Sequence, residues 1–232
     1  MNNQVKRYKV RDWTEPYGHS SWQIFKIMAE FVEGFDKLAK IGPCITIFGS
    51  ARTQPGHKYY ELAVEISRRL SEEGFGIISG GGPGIMEAAN KGANLAGGFS
   101  VGLNIDLPFE QHSNPFIDPD KNIEFDYFFV RKVMFTKYAQ GFIMMPGGWG
   151  TMDEFFEVAT LIQTRKFTQT PLICIGSDYW KGLFHWMKTV MLERESNLSP
   201  GDLEMIKIFD TADEVVNFIN EFYTHHKLQP NF

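Results

Sequence analysis

The chain has 232 residues, of which 43% are hydrophobic and 22% charged, a composition typical of a soluble globular protein with one large or two small domains. The formal net charge of -5 argues against bulk binding of nucleic acid, for which a basic surface is expected. No stretch approaches the roughly 18 consecutive apolar residues of a transmembrane helix, and the polar start Met1–Gln4 does not resemble a signal peptide. We therefore expect a cytoplasmic protein with no membrane partner.

The first predicted element is an amphipathic helix from Ser20 to about Lys40. Its apolar residues recur at helical spacing, Ser20 and Gln23 match a capping box, and Gly42-Pro43 ends the helix. Residues 1–42 are therefore expected to form an N-terminal extension that includes this helix.

Beyond residue 42, predicted strands and helices alternate. The predicted strands are Cys44–Phe48, Gly76–Ser79, Ser100–Ile105, Glu124–Phe129, Phe142–Met145, Leu172–Ile175 and Ile206–Phe209. The predicted helices cover about 57–73, 85–96, 131–140, 152–165, 179–194 and 212–224, and a long loop covers about 106–122. This alternation predicts an α/β fold, Rossmann-like and doubly wound, whose mostly parallel sheet has helices on both faces. We assign residues 43–225 to this domain and 226–232 to a tail.

Neither the cysteines nor the histidines form a metal-ligand pattern. Cys44 and Cys174 both fall inside predicted strands, which favours buried, reduced thiols over a disulfide framework or a zinc site. The six histidines are scattered along the chain. No metal site is expected.

Three loops that follow predicted strands carry glycine or small polar residues: 49–52, 80–84 and 146–151. Ligands of parallel α/β sheets bind outside the carboxyl ends of the strands, so these loops are expected to converge. Glycine-rich turns before helices offer backbone N–H groups to an anion. The loop at 80–84 matches neither the dinucleotide fingerprint nor a P-loop, because its spacing differs and no Gly-Lys-Ser/Thr follows.

The stretch 146–154, Pro-Gly-Gly-Trp-Gly-Thr-Met-Asp-Glu, combines such a turn with a carboxylate. Thr151 and Glu154 match a capping box, and Thr211 and Glu214 show the same T-x-D-E pattern before another helix without preceding glycines. The acid alone therefore indicates only the start of a helix. The glycines before Thr151 provide the room for a ligand.

Basic and sulfur-containing side chains supply further candidates. Arg131 and Lys132 are predicted at the start of a helix, where cations are mildly unfavourable; they either are solvated or project toward an anion. Arg52 is a weaker candidate of the same kind. Met86 and Met134 either line a base pocket or pack in the core.

Together, the motifs at 49–52, 80–89, 131–132 and 146–154 resemble those of the LOG family of phosphoribohydrolases, long labelled lysine decarboxylases. The resemblance covers residues 43–225, and the N-terminal helix is similar to that of the longer bacterial branch. It implies hydrolysis of the N-glycosidic bond of a purine nucleoside 5′-monophosphate, AMP or N6-prenylated AMP, without cofactor or metal. It also implies a homo-oligomer, a dimer or a hexamer of dimers, with the site near a dimer interface.

The resemblance further implies roles for individual residues. Arg131 and Glu154 would be the catalytic pair. The residues expected to bind substrate or its phosphate are Gly49, Ser50, Gly81, Gly82, Met86, Lys132, Gly147, Gly148, Gly150 and Thr151. An ionised Glu154 would stabilise positive charge on the ribose and accept a proton from water. Arg131 would hold the glutamate and phosphate in register or donate to the departing purine.

Two other readings remain open at this point. One is a non-catalytic nucleotide or cofactor carrier built on the same kind of sheet. The other is an oligomer whose site is vestigial and whose role is assembly. The pairing of Arg131 with Glu154 favours the hydrolase.

Overall fold

The computed structural model describes residues 19–107, 113–167 and 169–232. Strands in these residues are β1 (Cys44–Phe48), β2 (Gly76–Ser79), β3 (Ser100–Ile105), β4 (Asn122–Phe125), β5 (Ala139–Met144), β6 (Leu172–Ile175) and β7 (Ile206–Phe209). Helices are α1 (His19–Leu38), α2 (Lys58–Glu72), α3 (Ile85–Leu95), α4 (Phe128–Lys137), α5 (Trp149–Gln163), α6 (Ser177–Trp186), α7 (Pro200–Glu204) and α8 (Ala212–His225). The strands form one sheet in the order β4-β3-β2-β1-β5-β6-β7, and each neighbouring pair is parallel.

Alternate residues of the central strand β1 enter two separate hydrophobic cores. Ile45 and Ile47 pack with residues of α2, α3 and α8, whereas Cys44 and Phe48 pack with residues of α1, α4, α5 and α6. Successive side chains of a strand point to opposite faces, so these two sets of helices cover opposite faces of the sheet. The predicted Rossmann-like α/β fold with an additional N-terminal helix is confirmed, and both cysteines are buried as expected.

Both ends of the described chain pack against the region around α4. The Glu30 carboxylate on α1 accepts a hydrogen bond of 2.9 Å from the backbone N–H of Asp126, just before α4. Asn231, within the expected tail 226–232, is buried and donates through Nδ2 to the carbonyl of Ala139 at 2.9 Å. The contact of Glu30 holds α1 over the face of the sheet that carries α4.

The observed start of α4 differs from the prediction. The strand predicted over Glu124–Phe129 ends at Phe125, and the helix predicted from residue 131 begins at Phe128. The aromatic rings of Phe128 and Phe129 are 53% and 50% exposed, so their apolar character does not mark a buried strand. Arg131 therefore lies at the end of the first helical turn and not at the first residue.

The segment after β6 also differs from its sequence pattern. The pattern predicts one helix over 179–194, but α6 ends at Trp186 and continues as a π-helical segment, Met187–Arg194. The short α7 follows where no element is predicted. Ser199 and Asp202 form a capping box at its start.

The strand order reverses between β1 and β5, and the loops after these two strands meet at this point. The backbone N–H of Ser50 donates to the carbonyl of Pro146 at 3.1 Å, and the carbonyl of Ser50 accepts from the N–H of Ile85 at 3.0 Å. The three predicted loops are thus tied together through Ser50. Their convergence at the topological switch point of the sheet is confirmed.

The two T-x-D-E segments have different structures. Thr211 caps α8 and forms a full capping box with Glu214, as predicted. Thr151, in contrast, is the third residue of α5, whose N-cap is Gly148, so the predicted capping box of Thr151 and Glu154 is wrong. The chain enters the helix three residues earlier than the pattern indicates, which leaves the Glu154 carboxylate free of any capping role.

The capping box of α8 leads to a stability prediction. We expect Thr211→Ala to lower the free energy of unfolding by about 1 kcal/mol, because it removes the acceptor for the N–H of Glu214. Thr211→Ser retains the hydroxyl and should stay close to the wild type. Urea unfolding of the three proteins checks this, and equal losses for the two variants would contradict it.

Candidate active site

A cavity of about 950 Å³ opens at the carboxyl ends of β1 and β5. The loops after β1, β2 and β5 and the first turns of α4 and α5 contribute to its walls. The predicted site residues that line it are Gly49, Ser50, Met86, Arg131, Gly147, Gly148, Gly150, Thr151 and Glu154. The structure therefore brings together most of the residues that the sequence singled out.

The N-terminus of α5 forms one wall of the cavity and has the properties of an anion site. Its first N–H groups have no partner within the helix and carry the positive end of the helix dipole. A Cβ atom at Gly148 or Gly150 would meet no heavy atom of the described chain within 4 Å. The fold does not require glycine at these two positions, so the space over the helix end is open to a ligand.

Gly147 is different, because the fold requires it. A Cβ atom there would lie 2.0 Å from Thr151 Oγ1 and 3.1 Å from the backbone N of Ser50. Its carbonyl oxygen also accepts a hydrogen bond from the hydroxyl of Tyr179 on α6. Gly147 thus links the loop after β5 to α6.

Arg131 is held rigidly beside the cavity. Its Nε donates to the carbonyl of Leu103 at 2.7 Å, its Nη2 donates to the carbonyl of Gly80 at 3.2 Å, and the guanidinium lies 4.9 Å from the ring centre of Phe135. Burial lowers the pKa of Arg131 to about 10, against the opposing effect of the Glu154 charge, so it stays protonated at neutral pH. Nη1 makes no hydrogen bond to the described part of the chain and is left for a ligand.

Glu154 is a buried carboxylate in the cavity wall, with 7% of its surface exposed. Its Oε1 lies 3.2 Å from Nζ of Lys132, and its Oε2 has no hydrogen-bond partner within the described residues. Burial raises the pKa of Glu154 to about 7; Lys132 lowers it and the negative charge of Glu157 raises it. Both protonation states are therefore accessible near neutral pH, as acid–base catalysis requires.

Lys132 does not line this cavity. Its ammonium faces three carboxylates of α5, at 2.8 Å from Asp153 Oδ2, 3.2 Å from Glu154 Oε1 and 2.6 Å from Glu157 Oε2. Burial alone would lower the pKa of Lys132, but these carboxylates outweigh it and raise the pKa above its usual value. The expected phosphate-binding role does not fit this position, because the charge is already compensated.

Gly81 and Gly82 also lie away from the cavity lining. Their carbonyl groups accept hydrogen bonds from Asn114 Nδ2 at 3.0 and 3.1 Å, and a Cβ atom at Gly81 would lie 2.3 Å from Asn104 Oδ1. These contacts explain Gly81 and Gly82 by packing within the protein, without a ligand. Gly80, which belongs to the predicted loop 80–84 but is not among the predicted site residues, lines the cavity instead and orients Arg131 through its carbonyl.

Several other cavity residues carry weak or no sequence signal. Arg52 lines the cavity, as the weaker prediction allowed, whereas Met134 is fully buried in the core. Tyr179 reaches the site because β6, which precedes it, lies next to β5. An apolar wall consists of Phe48, Ile105, Leu107, Phe128 and Phe135. The strand order, which spacing alone does not give, brings these residues together.

Two features are absent from the described residues. These residues contain no group of three or more His, Cys, Asp or Glu side chains arranged to hold a metal ion. They also contain no helix that is both long and apolar enough to cross a membrane.

Fold and site together define an α/β protein in which a helix N-terminus suited to an anion adjoins a fixed arginine and a buried glutamate. A family model described as "possible lysine decarboxylase" matches residues 86–219. The chain belongs to this family, which is the LOG-type family.

Similarity to individual proteins is moderate. The chain is 33% identical over 161 residues to an uncharacterized protein of Archaeoglobus fulgidus, with 68% of this chain and 83% of that protein covered. It is 27% identical over 175 residues to a probable cytokinin riboside 5′-monophosphate phosphoribohydrolase of Oryza sativa, covering 73% and 69%. It is 26% identical over 160 residues to the cytokinin riboside 5′-monophosphate phosphoribohydrolase of Mycobacterium tuberculosis, covering 67% and 82%.

Solved structures with the same fold include proteins of another kind. The molybdenum cofactor binding protein of Rippkaea orientalis superposes with a TM-score of 0.56 at 20% identity, covering 78% of this chain and 98% of that one. The molybdenum cofactor carrier protein of Chlamydomonas reinhardtii gives 0.54 at 17% identity, covering 79% and 99%. At these identities the likeness concerns the fold alone.

The glycines at the start of α5 give a first prediction for the site. We expect Gly147→Ala to destabilise the protein by about 1–3 kcal/mol, because the methyl group overlaps Thr151. Gly150→Ala should leave stability unchanged or raise it by up to about 1 kcal/mol, since alanine favours the helix. Thermal unfolding with and without inorganic phosphate checks both. Gly150→Ala should show a smaller phosphate-induced shift; an unchanged shift would contradict an anion site at this helix end.

The buried carboxylate gives a second prediction. The pKa of Glu154 is about 7 in the folded protein and about 4.5 in the unfolded chain. The free energy of unfolding therefore falls as pH rises between these two values, because the folded protein must give up a proton that the unfolded chain has already lost. Glu154→Gln is not subject to this loss. We expect the variant to gain on the order of 2 kcal/mol over the wild type at pH 8 and little at pH 4.5. Unfolding at both pH values tests this, and a pH-independent difference would contradict it.

Proposed function

We propose that the protein hydrolyses the N-glycosidic bond of purine nucleoside 5′-monophosphates, AMP or N6-prenylated AMP, and releases the free base and ribose 5-phosphate. The observation that carries the proposal is the placement of Glu154. Its buried carboxylate has an unpartnered Oε2 and lies in the wall of the same cavity as the N-terminus of α5.

The spacing along α5 supports a nucleotide as the ligand. Gly150 and Glu154 are four residues apart on one helix, which corresponds to about 6 Å along the axis. A phosphate bound at the N-terminus thus leaves the attached ribose beside the carboxylate. The phosphate does not react, so its binding energy serves to position the ribose.

The chemistry assigned to the two catalytic residues follows from their surroundings. Cleavage of the bond between C1′ and the base builds positive charge on the ribose, which an ionised Glu154 stabilises. The same carboxylate accepts a proton from the attacking water, and its pKa of about 7 suits that task. Arg131 supplies a fixed positive charge, either to the phosphate or to the departing base.

The family supports this reaction at a general level, because related proteins carry the name of cytokinin riboside 5′-monophosphate phosphoribohydrolases. The apolar wall of the cavity is suited to a purine and to a prenyl substituent. We also propose a homo-oligomer, a dimer or a hexamer of dimers. The 92% exposed side chain of Trp149 at the cavity mouth, together with the exposed apolar residues of α1, supports assembly.

The alternative is a non-catalytic nucleotide or cofactor carrier. It is favoured by one observation: the solved structures that share this fold include molybdenum cofactor carriers. A carrier would bind its ligand without turnover.

The deciding experiment is incubation of the purified protein with AMP. We expect equal amounts of adenine and ribose 5-phosphate, with kcat lowered by about 10²–10⁴-fold in Glu154→Gln while AMP still binds. The acidic limb of the pH profile of kcat/KM should have its midpoint near pH 7, because the ionised form of Glu154 is the active one. A panel of AMP, isopentenyl-AMP, GMP and CMP then gives the base preference.

Glu214→Gln is the matched control, since Glu214 occupies the same T-x-D-E pattern but caps α8. It should leave turnover unchanged. Full activity of Glu154→Gln would overturn the assignment of the catalytic glutamate, and AMP binding by the wild type without hydrolysis would favour the carrier.

A further inference from the structure

We propose that Lys132 is a positioning residue, which keeps the Glu154 carboxylate ionised and oriented from behind the cavity, and that Glu157 opposes it. The inference rests on the proposed function for its catalytic meaning. Its structural part stands on contacts between α4 and α5.

Carboxylates of α5 surround the ammonium group of Lys132. The ammonium of Lys132 has three N–H donors, and three carboxylates of α5 lie within 3.2 Å of it. Of these, Glu154 and Asp153 line the large cavity, whereas Glu157 and Lys132 line only the adjoining groove. Lys132 therefore contacts the cavity only through its carboxylate partners.

Opposing charges act on the ionisation of Glu154. Burial favours the neutral form of Glu154, and the negative charges of Glu157 and Asp153 act in the same direction. Lys132 acts in the opposite direction through both its charge and its hydrogen bond. Without Lys132, the pKa of Glu154 would be higher, and a smaller fraction of the carboxyl groups would be ionised at neutral pH and able to accept a proton from water.

Other charged and titratable groups line the same cavity as Glu154. Arg131 of α4 is the second cation, and its charge interacts with that of Glu154. The remaining such groups around the cavity are Arg52, His57, Tyr59 and Tyr179. Arg52 and His57 are exposed, so solvent screens them more strongly than the partly buried ammonium of Lys132.

The direction of each effect follows. Removing the charge in Lys132→Met raises the pKa of Glu154, which moves the acidic limb of kcat/KM to higher pH. Glu157→Gln removes a like charge and frees Lys132 to interact more with Glu154, which moves the limb to lower pH. A structural role for the cluster predicts no such opposite pair of shifts.

The experiment measures kcat/KM for AMP between pH 5 and pH 9. We expect the limb to move by about one pH unit or more in opposite directions in the two variants, with Lys132→Arg close to the wild type. Lys132→Met should thus lose about tenfold at low pH and recover at high pH. A raised KM at every pH, with an unmoved limb, would show direct contact with substrate and overturn the proposal.

A second measurement needs no turnover. The pH dependence of unfolding is compared for the wild type, Lys132→Met and Glu157→Gln, each with and without Glu154→Gln. The part of the pH dependence that Glu154→Gln removes reports the ionisation of Glu154. The midpoint of this ionisation should rise in Lys132→Met and fall in Glu157→Gln. If AMP is not hydrolysed, the proposed function fails, but these midpoints still test the role of Lys132. Midpoints that do not move would overturn that role. Should Lys132→Met not fold, Glu157→Gln alone carries the test.

Discussion

The reversal of strand order between β1 and β5 is the constraint on which the site depends. All described strands are parallel, so the chain leaves β1 and β5 at the same edge of the sheet but crosses to opposite faces. The two crossovers therefore leave a gap between these strands. Hydrogen bonds continue past the strands, from Met145 to Phe48 and from Ser50 to Pro146, and keep the two loops side by side. The cavity and the exposed N-terminus of α5 both follow from this arrangement.

Within that gap, the protein maintains a charge that its own folding disfavours. Glu154 is buried, and an unpaired buried carboxylate costs several kcal/mol. Lys132 offsets part of this cost from one side, while Oε2 stays unpartnered on the other. Arg131 shows the complementary arrangement, because two backbone carbonyls fix its guanidinium before any ligand arrives. Both charges are thus oriented in advance, which is the electrostatic preorganisation that efficient catalysis uses.

Sequence pattern predicted the strands, the parallel sheet and the convergence of the three loops, because these depend on local periodicity and on a general rule of α/β folds. It failed where two local signals compete. Thr151 matches an N-cap in sequence, but Gly148 is the observed N-cap, so α5 begins earlier than predicted. Phe128 was predicted to lie in a strand because it is aromatic, but it is the first residue of α4. The surroundings of Lys132 were not predicted, for another reason. Its partners lie on a different helix, and only the packing of α4 beside α5 reveals them.

Glycine illustrates how structure separates constraints that look alike in sequence. Gly147 and Gly81 are explained by atoms that crowd the position of a Cβ, whereas Gly148 and Gly150 have open space there and ordinary backbone geometry. Gly148 is the N-cap of α5, where glycine is favoured over alanine, but glycine at position 150 in the first helical turn gains nothing for the fold over alanine, so its presence there needs another cause. Both positions face the cavity at the positive end of α5. The simplest cause is close approach of a ligand to the backbone N–H groups, with Glu154 one turn further along the same helix.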